Sequence, residues 1–261
     1  MTVKPLKHWV GVTLFACLFS ATCLAEDTVR IGIEAAYPPF ASKTGDGKIV
    51  GFDYDIGNAL CAQMKVKCVW VEQVFDGLIP SLRVRKIDAI LSSMSITDER
   101  RKSVDFTDRY YQSAGRVLMK QGNTLSDDFS QLNGKHVGVQ LSSVHDRFAS
   151  EVLRKAGAQI VRYATLNEAY QDLIVGRLDA VQGDDIVLQT GFLDTPQGKG
   201  YAFASKPLTD PKYFGDGVGI AVRSGDTALA ERFNKAIAAI RSDGEYQKIN
   251  QHYFSFDIYG Q

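Results

Sequence analysis

The chain is short of three things: long apolar runs beyond its first 25 residues, cysteine, and an excess of either charge. Lys and Arg number 30 and Asp and Glu 30, so the formal net charge is 0. No basic cluster dominates any stretch, which speaks against nucleic acid as a partner. After residue 25 no segment reaches the ~20 apolar residues that a membrane-spanning helix needs. Only four cysteines occur, at positions 17, 23, 61 and 68. No His/Cys cluster with metal-ligand spacing and no Ser/His/Asp order suggests a metal centre or a hydrolase.

What is present begins with a leader. Lys4 and Lys7 form a basic start, Val10 to Leu18 an apolar centre too short to cross a bilayer, and Cys23-Leu24-Ala25 a small-residue end before Glu26. The expectation is cleavage after Ala25 and export. A lipoprotein signal ending at Cys23 is the rival, but Ser20 stands where such signals carry Leu. Removing those 25 residues, which hold two lysines and no acid, leaves 236 of 261 residues, with 28 basic and 30 acidic side chains and a formal charge of −2. That length suits one large domain or two smaller ones. In an exported chain the remaining Cys61 and Cys68 read as a disulfide joining a helix end to the next strand.

The mature sequence alternates strand and helix. Val29–Ile33 reads as a strand, and Tyr37-Pro38-Pro39-Phe40 as a loop, since two prolines stop the strand. Asp53 opens a helix with Ile56, Leu60 and Met64 on one face. Cys68–Val71 is the next strand, Phe75 precedes a helix carrying Leu78, Ile79 and Leu82, and Ile87–Ile90 is a short buried strand. The alternation predicts α/β sheets with parallel strands. A repeat is also visible. Leu82-Arg83-Val84-Arg85-Lys86-Ile87-Asp88-Ala89-Ile90 recurs as Leu173-Ile174-Val175-Gly176-Arg177-Leu178-Asp179-Ala180-Val181. Likewise Ile31-Gly32-Ile33 recurs as Val137-Gly138-Val139, each before a polar loop. Two matches in the same order imply two lobes of like design. We place one lobe at residues 26–112 plus 211–261 and the other at 113–210. The closing helices, Asp226 to Arg241 and Gly244 to Tyr253, are expected on the first lobe, and two crossings would make a hinge.

Ligands of open α/β sheets bind beyond the carboxyl ends of the strands. Here those ends carry Glu34 and Tyr37, Phe75, the loop Ser92 to Arg100, Ser142 to His145, and Asp184. Each has a plain alternative. Tyr37 and Phe75 fit a core, Ser143 fits a helix cap, and Asp184 and His145 fit ordinary loop positions. The loop Leu91 to Arg101 alone reads as a Ser-rich turn before a charged helix capped by Thr97, in which Arg100 sits where the helix dipole disfavours a cation. Together the set has a chemical sense. Arg100, serine hydroxyls and helix-start N–H groups suit a carboxylate. Asp184 suits an ammonium, Glu34 a second cation, and Tyr37 and Phe75 an aliphatic or guanidinium stem.

Gly51-Phe52-Asp53-x-Asp55, Leu78-Ile79-Pro80-Ser81-Leu82, Ser92-Ser93-Met94-Ser95-Ile96-Thr97-x-x-Arg100, the Cys61/Cys68 pair and Tyr253-Phe254-x-Phe256 together resemble the periplasmic cationic amino-acid-binding proteins of ABC importers. The likeness spans essentially the whole mature chain and lies with the lysine/arginine/ornithine- and histidine-binding branch. It implies the type II periplasmic binding fold, a Venus-flytrap of two α/β lobes on a two-segment hinge. It implies that Arg100 pairs with an α-carboxylate, and that Asp184 with Ser93 or Ser95 binds the α-ammonium or carboxylate. Tyr37 and Phe75 would sandwich the side chain, while Glu34, Ser92 and Asp53 would receive its cationic end. Glu34 departs from the branch's usual Asp. Val144 replaces a Thr, leaving a backbone N–H beside Ser143, and His145 replaces a Gln in the manner of arginine-type receptors. These departures favour arginine or ornithine over lysine or histidine, with an arginine-derived opine as the alternative. The implied partners are the ligand and an inner-membrane permease, with the receptor acting as a monomer without cofactor, metal or catalysis. An enzyme on the same scaffold, such as a dehydratase, would have to use Glu34 or His145 as its acid or base. A sensor that docks on a receptor's periplasmic domain would share the ligand site.

Overall fold

The computed structural model describes residues 1–2 and 27–260. The expected leader beyond Thr2, with its cleavage point, lies outside these described residues. In chain order come β1 (Thr28–Ile33), the hairpin β2 (Ser42–Lys43) and β3 (Ile49–Val50), α1 (Phe52–Met64), β4 (Lys67–Glu72), α2 (Phe75–Arg83), β5 (Ala89–Ile90), α3 (Asp98–Arg101) and β6 (Val104–Tyr111). The chain then crosses to β7 (Gly115–Lys120), β8 (His136–Gln140), α4 (Val144–Phe148), β9 (Gln159–Tyr163), α5 (Leu166–Ile174), β10 (Ala180–Asp184), α6 (Asp185–Leu188), β11 (Tyr201–Phe203) and α7 (Pro211–Phe214). It returns through β12 (Val218–Arg223) and ends in α8 (Thr227–Ser242) and α9 (Glu245–Tyr253).

Two five-stranded sheets result, ordered β4-β1-β5-β12-β6 and β11-β7-β10-β8-β9. The expectation of parallel sheets holds only for part of each. In the first sheet β1 runs parallel to β4 and β5, and in the second β8 runs parallel to β9 and β10. β12 is antiparallel to β5 and β6, and β7 is antiparallel to β10 and β11. The added strands are those that enter from a crossing. Lacking a β-helix-β connection, they are not bound to the parallel direction that such a connection imposes.

The sequence repeat has an atomic explanation. A Cβ on Gly32 would lie 2.4 Å from Ile87, and one on Gly138 would lie 2.5 Å from Leu178. Each repeat aliphatic therefore closes over the repeat glycine of the neighbouring strand. The repeat aspartates act alike as well. Asp88 accepts the backbone N–H of Arg30 at 3.1 Å, and Asp179 that of His136 at 2.9 Å. Each carboxylate thus ties the start of its central strand to the chain arriving from the crossover helix.

Helix faces follow the apolar spacing. On α1, Ile56 and Leu60 are fully buried, and on α8 Leu229, Phe233, Ile237 and Ile240 line one side. Removing such side chains from water contributes about 1.5–3 kcal/mol each. Asp226 caps α8 by accepting from Leu229 N. Helices α8 and α9 pack on α1, and α8 also on β6, of the first sheet. Cys61 and Cys68 form a disulfide with Cα atoms 5.9 Å apart, between the end of α1 and β4. Among the described residues, no helix is long and apolar enough to cross a membrane.

Candidate functional site

The carboxyl ends of β1, β5, β8 and β10 face one cleft, and side chains from the two lobes meet across it. Tyr37 Oη donates to Asp184 Oδ2 at 2.5 Å. Gln140 Nε2 donates to both Glu34 oxygens at 2.8 Å. Arg100 Nη2 reaches the Ser142 carbonyl at 3.4 Å, a long contact. All these residues except Ser142 and Arg100 are buried, and Arg100 is half-buried. The lobes are therefore in their closed arrangement.

The first-lobe loop is held by its own network. Thr97 caps the short α3, accepting from Arg100 N at 3.3 Å, as its position before two acids predicts. Arg100 Nη1 donates to the Ser95 carbonyl at 2.9 Å, and its guanidinium carbon lies 5.4 Å from the Phe75 ring centre. Burial pulls this guanidinium down to about 10, against the fields of Asp184 and Tyr37. It stays charged, and among the described residues it bonds to the Ser95 and Ser142 carbonyls and forms no ion pair. Arg100 also lines an open pocket at the cleft mouth with Ser142, Ser143, Val144 and Arg147. Ser93 sits in the left-handed region at φ 49°, a strained position for a side chain other than glycine. That turn aims its N–H and hydroxyl at Asp53 Oδ2, at 2.7 and 3.0 Å.

Asp53 departs from the expectation that it receives a ligand's cationic end. It is fully buried, with Oδ2 held by Ser93 and Oδ1 by Tyr110 Oη at 2.9 Å. Burial raises its pKa to about 7 against these bonds. It supports the Ser92–Ser93 turn from beneath, because α1 carries it under the loop. Ser92 Oγ is likewise engaged, accepting from Glu34 N at 2.9 Å.

Glu34 is 3% exposed. Burial lifts its pKa to about 7, the Gln140 amide opposes the rise, and Asp76 and Glu168 add to it. No described basic side chain forms an ion pair with it. Among the described residues, this end of the cleft therefore holds a carboxylate with no cation to pair with it. Tyr37 and Phe75 are both buried, and the Phe75 ring lies against the Arg100 guanidinium.

On the second lobe Ser143 caps α4. Its hydroxyl donates to Gln140 O at 2.7 Å and accepts from Asp146 N at 3.1 Å. The Val144 N–H, in the first turn of α4, points from the same end. His145 is 3% exposed, with Nε2 3.3 Å from Asp184 Oδ1 in an ion-pair contact that lacks hydrogen-bond geometry, so neither ring nitrogen has a hydrogen-bond partner. Burial acts to raise the Asp184 pKa. His145 and the hydroxyls of Tyr37 and Ser113 outweigh it and hold the carboxyl below its ordinary range.

The sequence-predicted residues therefore gather at one cleft, with Asp53 a layer beneath it. Gln140, Asp76 and Glu168 were missed as site residues. Gln140 had a legible signal: it follows Val137-Gly138-Val139 as Glu34 follows Ile31-Gly32-Ile33, so the repeat makes the two positions equivalent.

Known proteins resemble this chain over nearly its whole length. The chain is 58% identical over 251 residues to the L-arginine-binding protein of Pseudomonas aeruginosa, covering 96% of this chain and 97% of that one. It is 44% identical to the lysine/arginine/ornithine-binding periplasmic protein of Escherichia coli, covering 99% and 98%. A solved ancestral arginine-binding protein bound to arginine superposes with a TM-score of 0.81 at 36% identity, covering 88% of this chain and 99% of that one. Residues 29–256 match the profile of the bacterial extracellular solute-binding proteins, family 3, and the chain belongs to that family, with its type II periplasmic binding fold.

Proposed function

From that membership we propose that the protein is a periplasmic receptor that encloses a cationic L-amino acid, arginine or ornithine before lysine or histidine, and delivers it to an ABC permease. One observation carries the preference for a cation: the buried Glu34 carboxylate, near Asp76 and Glu168, has no basic partner among the described residues. A buried carboxylate whose pKa is raised gains most from a ligand that supplies the opposite charge.

In this reading Arg100 pairs with the α-carboxylate, helped by the Val144 N–H and Ser143. Asp184 takes the α-ammonium with Ser93 or Ser95, and His145 packs beside it. Tyr37 and Phe75 flank the side chain, whose cationic end meets Glu34 and Ser92. Asp53 positions Ser93 and does not touch the ligand. The lobes comprise residues 27–112 with 215–260 and residues 113–214. Phe148 packs on Tyr213 and Phe214, with ring centres 5.2 and 5.3 Å away, which favours drawing the return crossing after Phe214. The leader ends after Ala25, and the receptor works as a monomer.

Closure is driven by differential affinity, because only the closed state contacts the ligand from both lobes. A thermal-shift screen against the proteinogenic amino acids, ornithine, citrulline and several opines tests the reading. A ligand that binds only the native state raises Tm by mass action. Arginine or ornithine is expected to give the largest shift, and a larger shift from an acidic or neutral amino acid would overturn the assignment.

A further inference from the structure

We propose that Asp185 is a positioning residue for lobe closure: it ties the first crossing to the second lobe just beyond Gln112, makes the Gln112–Ser113 junction the pivot, and so sets affinity for every ligand without touching one. The inference deepens the receptor reading above and rests on it.

The chain entering the first crossing is fastened to the first lobe as far as Gln112. β6 is an edge strand, and its last residue, Tyr111, pairs with Val218 of β12. The segment from α9 onward holds it as well. Tyr246 Oη donates to the Tyr110 carbonyl at 2.7 Å, and Gln112 N donates to the Ile258 carbonyl at 2.8 Å. Asn250 shapes that segment, its Nδ2 bonded to Phe256 O at 2.7 Å and its Oδ1 accepting from Ile258 N at 3.2 Å.

One residue later the ties change lobes. Ser113 Oγ lies 3.0 Å from Asp185 Oδ1 and 3.1 Å from Asp184 Oδ1, so its single proton serves one carboxylate at a time. Ala114 N reaches the same Asp185 oxygen at 3.4 Å, and Asp185 N donates back to Ala114 O at 2.8 Å. That oxygen also accepts from Ile186 N at 2.7 Å, in the first turn of α6. Gly115 then opens β7, paired with Asp184. No residue of the first crossing is left between the two sets of ties. The return crossing is built alike. Leu208 exchanges both backbone bonds with Gly115, and Phe214 packs on Phe148, whereas Asp216 N already donates to Ile96 O of the first lobe at 3.1 Å. Gly215 stands between them at φ +73°, where a Cβ would lie 1.8 Å from Ile96 O.

Hinges are a few residues that absorb the backbone change of closure. A pivot confined to one junction loses little chain entropy when the lobes close. Removing the Asp185 carboxylate releases the Ser113 hydroxyl and the Ala114 N–H in the open state, and closure must order them again. The ligand's own contacts stay in place, so the loss falls on all ligands alike.

The test uses the full-length mature protein carrying spin labels at Val84→Cys and Val175→Cys, exposed residues after α2 and α5 that the repeat makes equivalent. Interlobe distance distributions, and calorimetric affinities for arginine and ornithine, are compared for otherwise wild-type protein, Asp185→Ala and Asp185→Asn. Asp185→Ala is expected to broaden the unliganded distribution and leave the arginine-bound one unchanged. It should weaken both ligands by the same factor, about 10-fold, the equivalent of re-ordering one residue's backbone. Asp185→Asn keeps a carbonyl oxygen in the place of Oδ1, so it should retain the narrow distribution and stay within about 3-fold of wild-type affinity. Ser113→Gly loosens the same junction with Asp185 intact, is expected to show the same broadening and uniform loss, and serves should Asp185→Ala fold poorly. A narrow distribution with wild-type affinity in either loosening variant would overturn the proposal. So would Asp185→Asn binding as weakly as Asp185→Ala, or a loss confined to one ligand. Wild-type protein that binds neither amino acid would instead refute the receptor reading itself.

Discussion

Asp88 and Asp179 do the same job in the two lobes, yet the loops a few residues further on do not. Each aspartate tethers the first residues of a central strand, and each is preceded by an aliphatic residue that covers a strand glycine. Beyond the strand ends the lobes diverge. The first supplies a buried carboxylate, a strained serine turn and a cation, in Glu34, Ser93 and Arg100. The second supplies an amide, a helix cap and a second carboxylate, in Gln140, Ser143 and Asp184. Scaffold positions stay alike because both lobes face the same packing problem. Ligand positions differ because an amino acid has unlike ends, and a symmetric cleft could not complement both.

The comparison can be broken most severely at Arg100. Arg100→Ala is expected to weaken amino-acid binding by ~10²–10³-fold by calorimetry, since it removes the cation that the first lobe brings to the ligand's carboxylate. Unchanged affinity would show that the carboxylate is held by the second lobe alone. Next in size is Glu34→Gln, which should cost arginine roughly 10–100-fold and glutamine little. Its pH dependence sharpens the point. The Glu34 pKa lies at about 7 in the folded protein, above the unfolded value, so the proton is bound more tightly in the native state. In the unliganded protein the burden of ionising Glu34 is absent below the unfolded pKa, grows as pH rises, and is complete above about 7. Glu34→Gln should therefore raise the Tm of the unliganded protein at pH 8 and leave it nearly unchanged at pH 4. A cationic ligand needs the ionised form, so wild-type arginine affinity should fall as pH drops through 7, a slope that the variant lacks.

Smaller effects concern scaffold and not ligand. Replacing both Cys61 and Cys68 by Ser should cost about 2–3 kcal/mol of stability by chemical denaturation, from the short loop that the bond closes, while leaving the order of ligand affinities intact. A change in that order would tie the first-lobe disulfide to the site. Smallest is the matched pair Asp88→Ala and Asp179→Ala. Asp88 also pairs with Arg30 and Arg223 and is the less exposed, so its loss should cost about 2 kcal/mol and that of Asp179 about 1 kcal/mol. Equal costs would mean that the backbone tether outweighs the ion pairs.

Much of this was legible without coordinates. The repeat announced two lobes of like design, the spacing of Ile56 and Leu60 gave α1, and Thr97 read as a cap from the two acids after it. The disulfide followed from two close cysteines in an exported chain. Such features are local: they depend on periodicity, capping and loop length, which a sequence carries directly. The sheets proved mixed because strand direction after a crossing depends on where the chain re-enters, which no local pattern encodes. Asp53 read as a ligand group because it belongs to the motif at the start of α1, and only packing shows that the helix carries it beneath the Ser92–Ser93 turn. Gln140 passed as the first residue of a polar loop. Its role exists only when the lobes close and bring it within hydrogen-bonding distance of Glu34, 106 residues earlier in the chain. The sequence alone thus determined the two-lobed scaffold and most of the residues at the cleft, since both are written in short-range patterns. The tertiary structure decided which of those residues face the cleft and which partners they meet there, because burial and long-range pairing arise only once distant segments are packed together.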